Sequence, residues 1–208
     1  MTMASECAES GSVYDVSMRQ AVSCTLDSFD RHIVASIFAL ALREAGSSGA
    51  GACAATGLDP ADLGDLLKQV CLGDGQAVLT ECVVPVERSA DEWCLLDLLW
   101  QCARDRSIFQ KRLAAMVARR SQYPNHLWQD LGLRNRGELR ALMARHFPAL
   151  AARNALDMKW KKFLYRMICA DASYALCTAP SCGECTDFQN CFGDEPGEGL
   201  LARLRVEP

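Results

Sequence analysis

The chain lacks any excess of positive charge: over its 208 residues the formal net charge is -4 and the pI lies near 5.4. Binding nucleic acid without regard to sequence requires a basic field, so DNA and RNA are not expected partners. A long apolar run is missing as well. The longest, Ile33 to Leu42, contains Ser36 and is too short to cross a bilayer, so no membrane association is expected. Residues 1–17 have neither a basic n-region nor an apolar h-region, since the first basic residue is Arg19 and Glu6 and Glu9 come before it. Secretory export is therefore not expected, and a soluble, cytoplasmic protein is. There is no GxGxxG or GxxxxGK[ST] phosphate loop, no internal repeat and no alternation of strand with helix patterns. Without a nucleophile–base pair or paired carboxylates, no catalytic residue is proposed, and the expectation is a protein that is not an enzyme.

What the chain does have is cysteine, twelve residues of it, in a sequence that is 50% hydrophobic and 23% charged. That composition suits one globular domain with a real core. In a reducing compartment thiols stay free or bind metal rather than pair. Cys7, Cys24, Cys53, Cys71, Cys82, Cys94, Cys102 and Cys169 are scattered and read as small buried hydrophobes or inert thiols. The other four fall in one short window.

Hydrophobic periodicity predicts an all-α fold. Residues 1–20 have none and read as a flexible tail. A helical domain follows over 21–174, then a cysteine-rich cluster-binding loop over 175–193 and a C-terminal tail over 194–208. The first helix spans Phe29 to Ala45, with Phe29, Ile33, Ile37, Leu40 and Ala41 at helical spacing and Gly46 placed to end it. Ser47 to Gly57 reads as a Gly-rich loop. Asp59 as N-cap and Pro60 at the first position start a helix that buries Leu63, Leu66, Leu67 and Val70. Ala77 to Pro85, after the Gly73-Asp74-Gly75 turn, reads as a short extended piece. Ser89 and Glu92 form a capping box for a helix that carries Trp93, Leu96, Leu99 and Trp100.

Ser107 to Gln122 reads as a helix with a Phe109, Leu113, Met116, Val117 stripe and a solvated face of Lys111, Arg112, Arg119 and Arg120. A short helical piece covers His126 to Leu131. Asn135 and Glu138 cap a further helix that buries Leu139, Leu142 and Met143, and Pro148 marks its end or a kink. The cleanest pattern belongs to the last helix, Asp157 to about Ala172, with Trp160, Phe163, Leu164, Met167 and Ile168 on one face.

Beyond Ser173 the helical pattern stops at Cys177-x4-Cys182-x2-Cys185-x5-Cys191. Short loops bring four thiolates together at little entropic cost, and Pro180 and Gly183 supply turns that let the backbone wrap an ion or cluster. Metal binding would lower the thiol pKa values and offset the ordering of a loop that has no core of its own. Four thiolates suit both tetrahedral zinc and an iron–sulfur cluster. The spacing has one Cys-x2-Cys knuckle where structural zinc sites usually have two, and its opening matches that of plant-type ferredoxins. It leans towards iron–sulfur. The other readings are a zinc-stabilised cytoplasmic interaction module and a redox enzyme, the latter without a motif for a second cofactor or a substrate pocket.

This signature, with Ala-Pro-Ser-Cys inside it and Cys-Phe-Gly closing it, resembles that of the NifQ family of nitrogen-fixation proteins. The resemblance extends upstream to His126-Leu-Trp-Gln-Asp-Leu-Gly-Leu133, to Phe147-Pro148 with Asn154, and to Met158-Lys-Trp-Lys-Lys-Phe-Leu-Tyr165. It is strong from about Asn125 to Gly193. It implies an iron–sulfur protein holding molybdenum in a Mo-Fe-S cluster, with Cys177, Cys182, Cys185 and Cys191 as ligands. Such a protein supplies molybdenum for assembly of the nitrogenase iron-molybdenum cofactor, and its recipients would be the nitrogenase iron protein and the cofactor-assembly scaffold complex.

Other residues are candidates around that centre. Arg145, Arg153, Lys159, Lys161, Lys162 and Arg166 face only Asp157 in opposite charge, while Cys177 to Leu201 has acids and no Lys or Arg. Such a basic helix can attract molybdate, the molybdenum source, or offset an anionic cluster; the plainer reading is a solvated face. His126 and His146 are possible further metal ligands, with a structural role as the plainer reading. Cys169 is the scattered cysteine best placed to reach the loop.

Overall fold

The computed structural model describes residues 14, 15, 18, 26–45, 49–70, 86–171, 191, 192 and 194–203. Within them the regular secondary structure is helical and there is no strand. The helices run α1 Ser28–Glu44, α2 Gly49–Thr56, α3 Pro60–Gln69, α4 Ala90–Gln101, α5 Ile108–Arg120, α6 Leu127–Asp130, α7 Arg136–His146, α8 Pro148–Arg153, α9 Trp160–Asp171 and α10 Leu200–Arg203. The extended piece expected at Ala77 to Pro85 lies outside the described residues.

Helix α1 is the centre of the bundle. Its N-cap Asp27 accepts from the backbone N–H of Phe29 and Asp30, both at 3.0 Å. Every residue from Asp30 to Ala41 is buried, as befits a helix enclosed on all sides rather than lying on a surface. Two of its buried polar side chains pair with α7. Asp30 meets His146 Nε2 at 3.0 Å, and His32 Nε2 meets Glu138 at 3.0 Å, so α7 is tied to α1 at two points. His32 Nδ1 lies 2.8 Å from the Tyr14 hydroxyl, which also accepts from Arg134. Tyr14, in the segment expected to be a flexible tail, is thus docked on the body.

The Gly-rich segment expected as a loop over Ser47 to Gly57 contains α2. Its small residues let it lie against α1: a Cβ on Gly51 would stand 2.6 Å from the Cβ of Ala45. Ala52, Cys53 and Ala55 are buried, and Gly57 ends the helix at φ +71°. Cys53 is disulfide-bonded, where an inert thiol was expected. Asp59 caps α3 as expected, accepting from Asp62 N–H at 2.8 Å, and Leu63, Leu66, Leu67 and Val70 all enter the core.

Ser89 caps α4 by accepting from Glu92 N–H at 3.1 Å, but the inward face is Glu92, Leu95, Leu98 and Leu99. Trp93 points outward, 55% exposed, beneath the Arg88 guanidinium. The cause is Glu92, whose carboxylate is held between Arg88 and Arg119 and turns that position inward. Burial still pushes its pKa above the usual 4.5, against the pull of both guanidiniums.

Leu113, Met116 and Val117 of α5 are buried as expected. The face expected to be solvated is not uniformly so. Arg112 is buried against Asp62 (2.7 Å) and Asp65 (3.1 Å), and Arg120, fully buried, reaches Glu44 at 2.6 Å. A buried guanidinium is tolerated only with such partners.

Helices α7 and α8 meet at Pro148, the first residue of α8. Trp160, Phe163 and Leu164 of α9 are buried, with Met167 and Ile168 packed at the edge of the core.

Candidate functional site

Of the four clustered cysteines, Cys177, Cys182 and Cys185 lie outside the described residues, and Cys191 is within them. Cys191 is a free thiol, half-buried, and packs with Phe192 against the hydrophobic core. Its carbonyl accepts from Lys159 N–H at 2.8 Å. The last cysteine is therefore pinned to the start of α9.

The chain approaches that point through Asp157, at φ +54°, the one positive-φ residue other than glycine among those described. Asn154 brackets the turn: its Oδ1 accepts from Met158 N–H and its Nδ2 donates to Met158 carbonyl, each at 2.9 Å. Arg136, the first residue of α7, donates to Asp157 carbonyl at 2.6 Å. The same guanidinium reaches Glu195 Oε2 at 3.2 Å. One cation thus holds both the segment that binds Cys191 and the segment four residues beyond it.

Glu195 is enclosed, its side chain 4% exposed, and its Oε1 lies 3.2 Å from His126 Nδ1. The chain after it stays docked. Gln129 Nε2 donates to Glu198 carbonyl at 3.1 Å, and Gly199 lies so close to Leu133 that a Cβ there would stand 2.8 Å from its carbonyl oxygen. Residues 194–203, expected only as part of a tail, form a strap across α6 and the turn before α7.

The basic residues near α9 fare unequally. Lys161 is not on a solvated face: its ammonium is bonded to the carboxylate of Asp130, 1% exposed, and to Tyr123 carbonyl. Burial lowers the Lys161 pKa, and the hydrogen bond and charge of Asp130 oppose that fall. Lys162 is exposed and Lys159 half-buried. Cys169 lies on α9, but its side chain is outside the described residues.

The histidines divide in the same way. His146 is buried with both ring nitrogens engaged, Nε2 by Asp30 and Nδ1 by Gln110 at 2.9 Å, and His32 is similarly satisfied. Neither has a nitrogen left for a metal. His126 Nδ1 lies 3.2 Å from Glu195 Oε1, and the ring is 32% exposed. Among the described residues no group of three or more His, Cys, Asp or Glu side chains stands ready to hold a metal ion.

Sequence reasoning missed Arg136 and Glu195. Nothing periodic marks Arg136, the first residue of its helix, or Glu195, beyond its place four residues after Cys191.

No solved structure matches this chain. A family profile described as NifQ matches residues 33–193, a span that contains all four clustered cysteines. The chain is 40% identical over 171 residues to a "Protein NifQ homolog" of Sinorhizobium fredii, covering 82% of this chain and 74% of that protein. It is 38% identical over 160 residues to "Protein NifQ" of Rhodobacter capsulatus, covering 76% and 87%. With "Protein NifQ" of Klebsiella pneumoniae it shares 47% identity over 81 residues, 38% of this chain and 48% of that one. On that match the chain belongs to the NifQ family of nitrogen-fixation proteins.

Proposed function

We propose that this protein carries a Mo-Fe-S cluster on Cys177, Cys182, Cys185 and Cys191 and surrenders molybdenum for assembly of the nitrogenase iron-molybdenum cofactor. The observation that carries the reading is the family match over residues 33–193, which takes in the whole Cys-x4-Cys-x2-Cys-x5-Cys pattern. Thiolates are the soft ligands that sulfide-bridged iron and molybdenum prefer. Cys191 adds a physical argument: a half-buried thiol at the edge of the core, fixed through its backbone, gives a cluster one firm attachment and leaves another side open to a recipient.

In this reading the cluster is cargo and molybdate is the source of its molybdenum. The recipients are the nitrogenase iron protein and the cofactor-assembly scaffold complex. The chain's own part is to bind, shield and release, with no catalytic turnover. Lys161 is withdrawn from any contact with molybdate by Asp130, so exposed Lys162 is better placed than Lys161 to attract the anion.

The test is isolation under strict exclusion of oxygen, followed by iron, sulfide and molybdenum analysis and incubation with the scaffold complex. Brown protein whose molybdenum moves to the scaffold supports the carrier. Colourless protein with one zinc makes it an interaction module stabilised by that ion.

A further inference from the structure

We propose that Arg136 is a positioning residue that makes the C-terminal strap a latch on Cys191: while residues 194–203 stay docked, Cys191 is held at the start of α9, and displacing them lets it go. The bearing of this latch on cargo rests on the carrier reading above, whereas its geometry is that of the chain alone.

The contacts close a ring. Arg136 Nη2 donates to the Asp157 carbonyl at 2.6 Å, and Nη1 lies 3.2 Å from Glu195 Oε2. Two residues after Asp157, Lys159 N–H donates to the Cys191 carbonyl at 2.8 Å, and four residues after Cys191 the chain reaches Glu195. One guanidinium therefore grips the chain on both sides of that backbone bond. It can do so because its terminal nitrogens meet separate acceptors in a fixed fork, which the single nitrogen of a lysine does not offer. Asp157 gives the grip a further purpose. Its φ of +54° is a conformation that a residue with a side chain adopts at a cost and keeps only where its surroundings hold it.

The other anchors of the strap hold it to α6 and the turn after it. His126 Nδ1 lies 3.2 Å from Glu195 Oε1, and Gln129 Nε2 donates to the Glu198 carbonyl at 3.1 Å. Gly199 packs against Leu133, and a Cβ on Gly132 would stand 3.1 Å from Leu201 Cδ1. Together these keep Glu195 enclosed, its side chain 4% exposed, and a carboxylate so enclosed is costly without its cation. Docking of the strap and closure of the ring thus form one cooperative unit of local opening.

The experiment uses the full-length apo protein kept reduced. It combines amide hydrogen exchange with peptide-resolved alkylation of Cys191, taking exposed Cys94 on α4 as the reference thiol. Gly199→Val perturbs the strap eight residues beyond Cys191, because its first added carbon would stand 2.8 Å from the Leu133 carbonyl oxygen. Glu195→Gln and Arg136→Gln break the latch itself, and Arg136→Lys keeps the charge without the fork. In all four variants, exchange of the strap, exchange of the Lys159 amide and alkylation of Cys191 relative to Cys94 should rise together, about tenfold. The amides of buried α1 should keep their wild-type rates. A strap that exchanges faster while Lys159 and Cys191 do not change overturns the proposal. So does a strap unmoved in every variant, a rise that spreads equally into α1 in all four, or an Arg136→Lys variant indistinguishable from the wild type. None of these readouts needs a cluster, so a chain that takes up no iron or molybdenum refutes the carrier reading and leaves the latch standing.

Discussion

Lys159 N–H donates to Cys191 carbonyl at 2.8 Å, joining the residue before α9 to the last cysteine of the loop. The bond belongs to the backbone, so substituting either side chain leaves it in place. Cys191→Ser should accordingly keep the docking of residues 191–201 and lose only a thiolate. Its apo form is expected to melt within a few degrees of the wild type while its cluster content falls sharply, checked by calorimetry beside iron analysis. A large drop in apo stability would show that the thiol itself holds the strap.

Lys161 and Lys162 are neighbours with opposite fates. Lys161→Met leaves the carboxylate of Asp130 buried without its cation and should cost about 3 kcal/mol in urea unfolding. Lys162→Met, on the exposed side, should stay within about 0.5 kcal/mol. Equal effects would mean that α9 does present a uniformly solvated basic face.

Trp93 and Trp160 test the register of α4. Trp160 is 3% exposed, and its replacement by Ala should cost about 3 to 5 kcal/mol. Trp93→Ala should change stability by less than about 1 kcal/mol, since only the Arg88 contact is lost. In iodide quenching of the wild type, Trp93 should be the accessible indole.

Glu138 makes stability depend on acid. Burial raises its pKa, but the hydrogen bonds from His32 and from Arg134 N–H and the charge of Arg134 outweigh it and leave the carboxyl below its usual 4.5. The folded state therefore binds fewer protons there than the unfolded state. The contribution of Glu138 is present above pH 4.5 and lost as pH falls through the lower folded value. Glu138→Gln should flatten the acid side of a stability–pH curve, as well as lowering stability near neutrality. Identical slopes below pH 4.5 would contradict this.

Gly51→Val tests how α2 sits on α1. The first added carbon would meet Ala45 at 2.6 Å, and overpacking of that kind should cost about 1 to 3 kcal/mol by denaturant unfolding.

Local chemistry was the most legible part of the sequence. Asp59, Ser89 and Asn135 each accept from a backbone N–H three residues on, because a capping side chain needs only its own turn. The Leu63, Leu66, Leu67 stripe of α3 and the Trp160, Phe163, Leu164 stripe of α9 are periodic and buried. Helix α2 was not legible, since Gly49 to Thr56 has two glycines and little amphipathy and forms where small residues can approach α1. The inward turn of Glu92 on α4 was not legible, because pairing with Arg88 and Arg119 sets it rather than hydrophobicity. Arg112 and Arg120 were missed for the same reason: their acidic partners are remote in sequence. Around the candidate site, the cysteine spacing was plain from the residues. The brace of Arg136, Glu195 and His126 was not, because it joins three separate segments.

Molybdenum K-edge X-ray absorption of the anaerobically isolated protein bears most directly on the cluster assignment. The expected spectrum has sulfur in the first shell and iron beyond it, and both signals should vanish when Cys177, Cys182, Cys185 and Cys191 are replaced by Ala. Molybdenum surrounded by oxygen alone, or the same spectrum in the cysteine-free variant, would contradict the assignment.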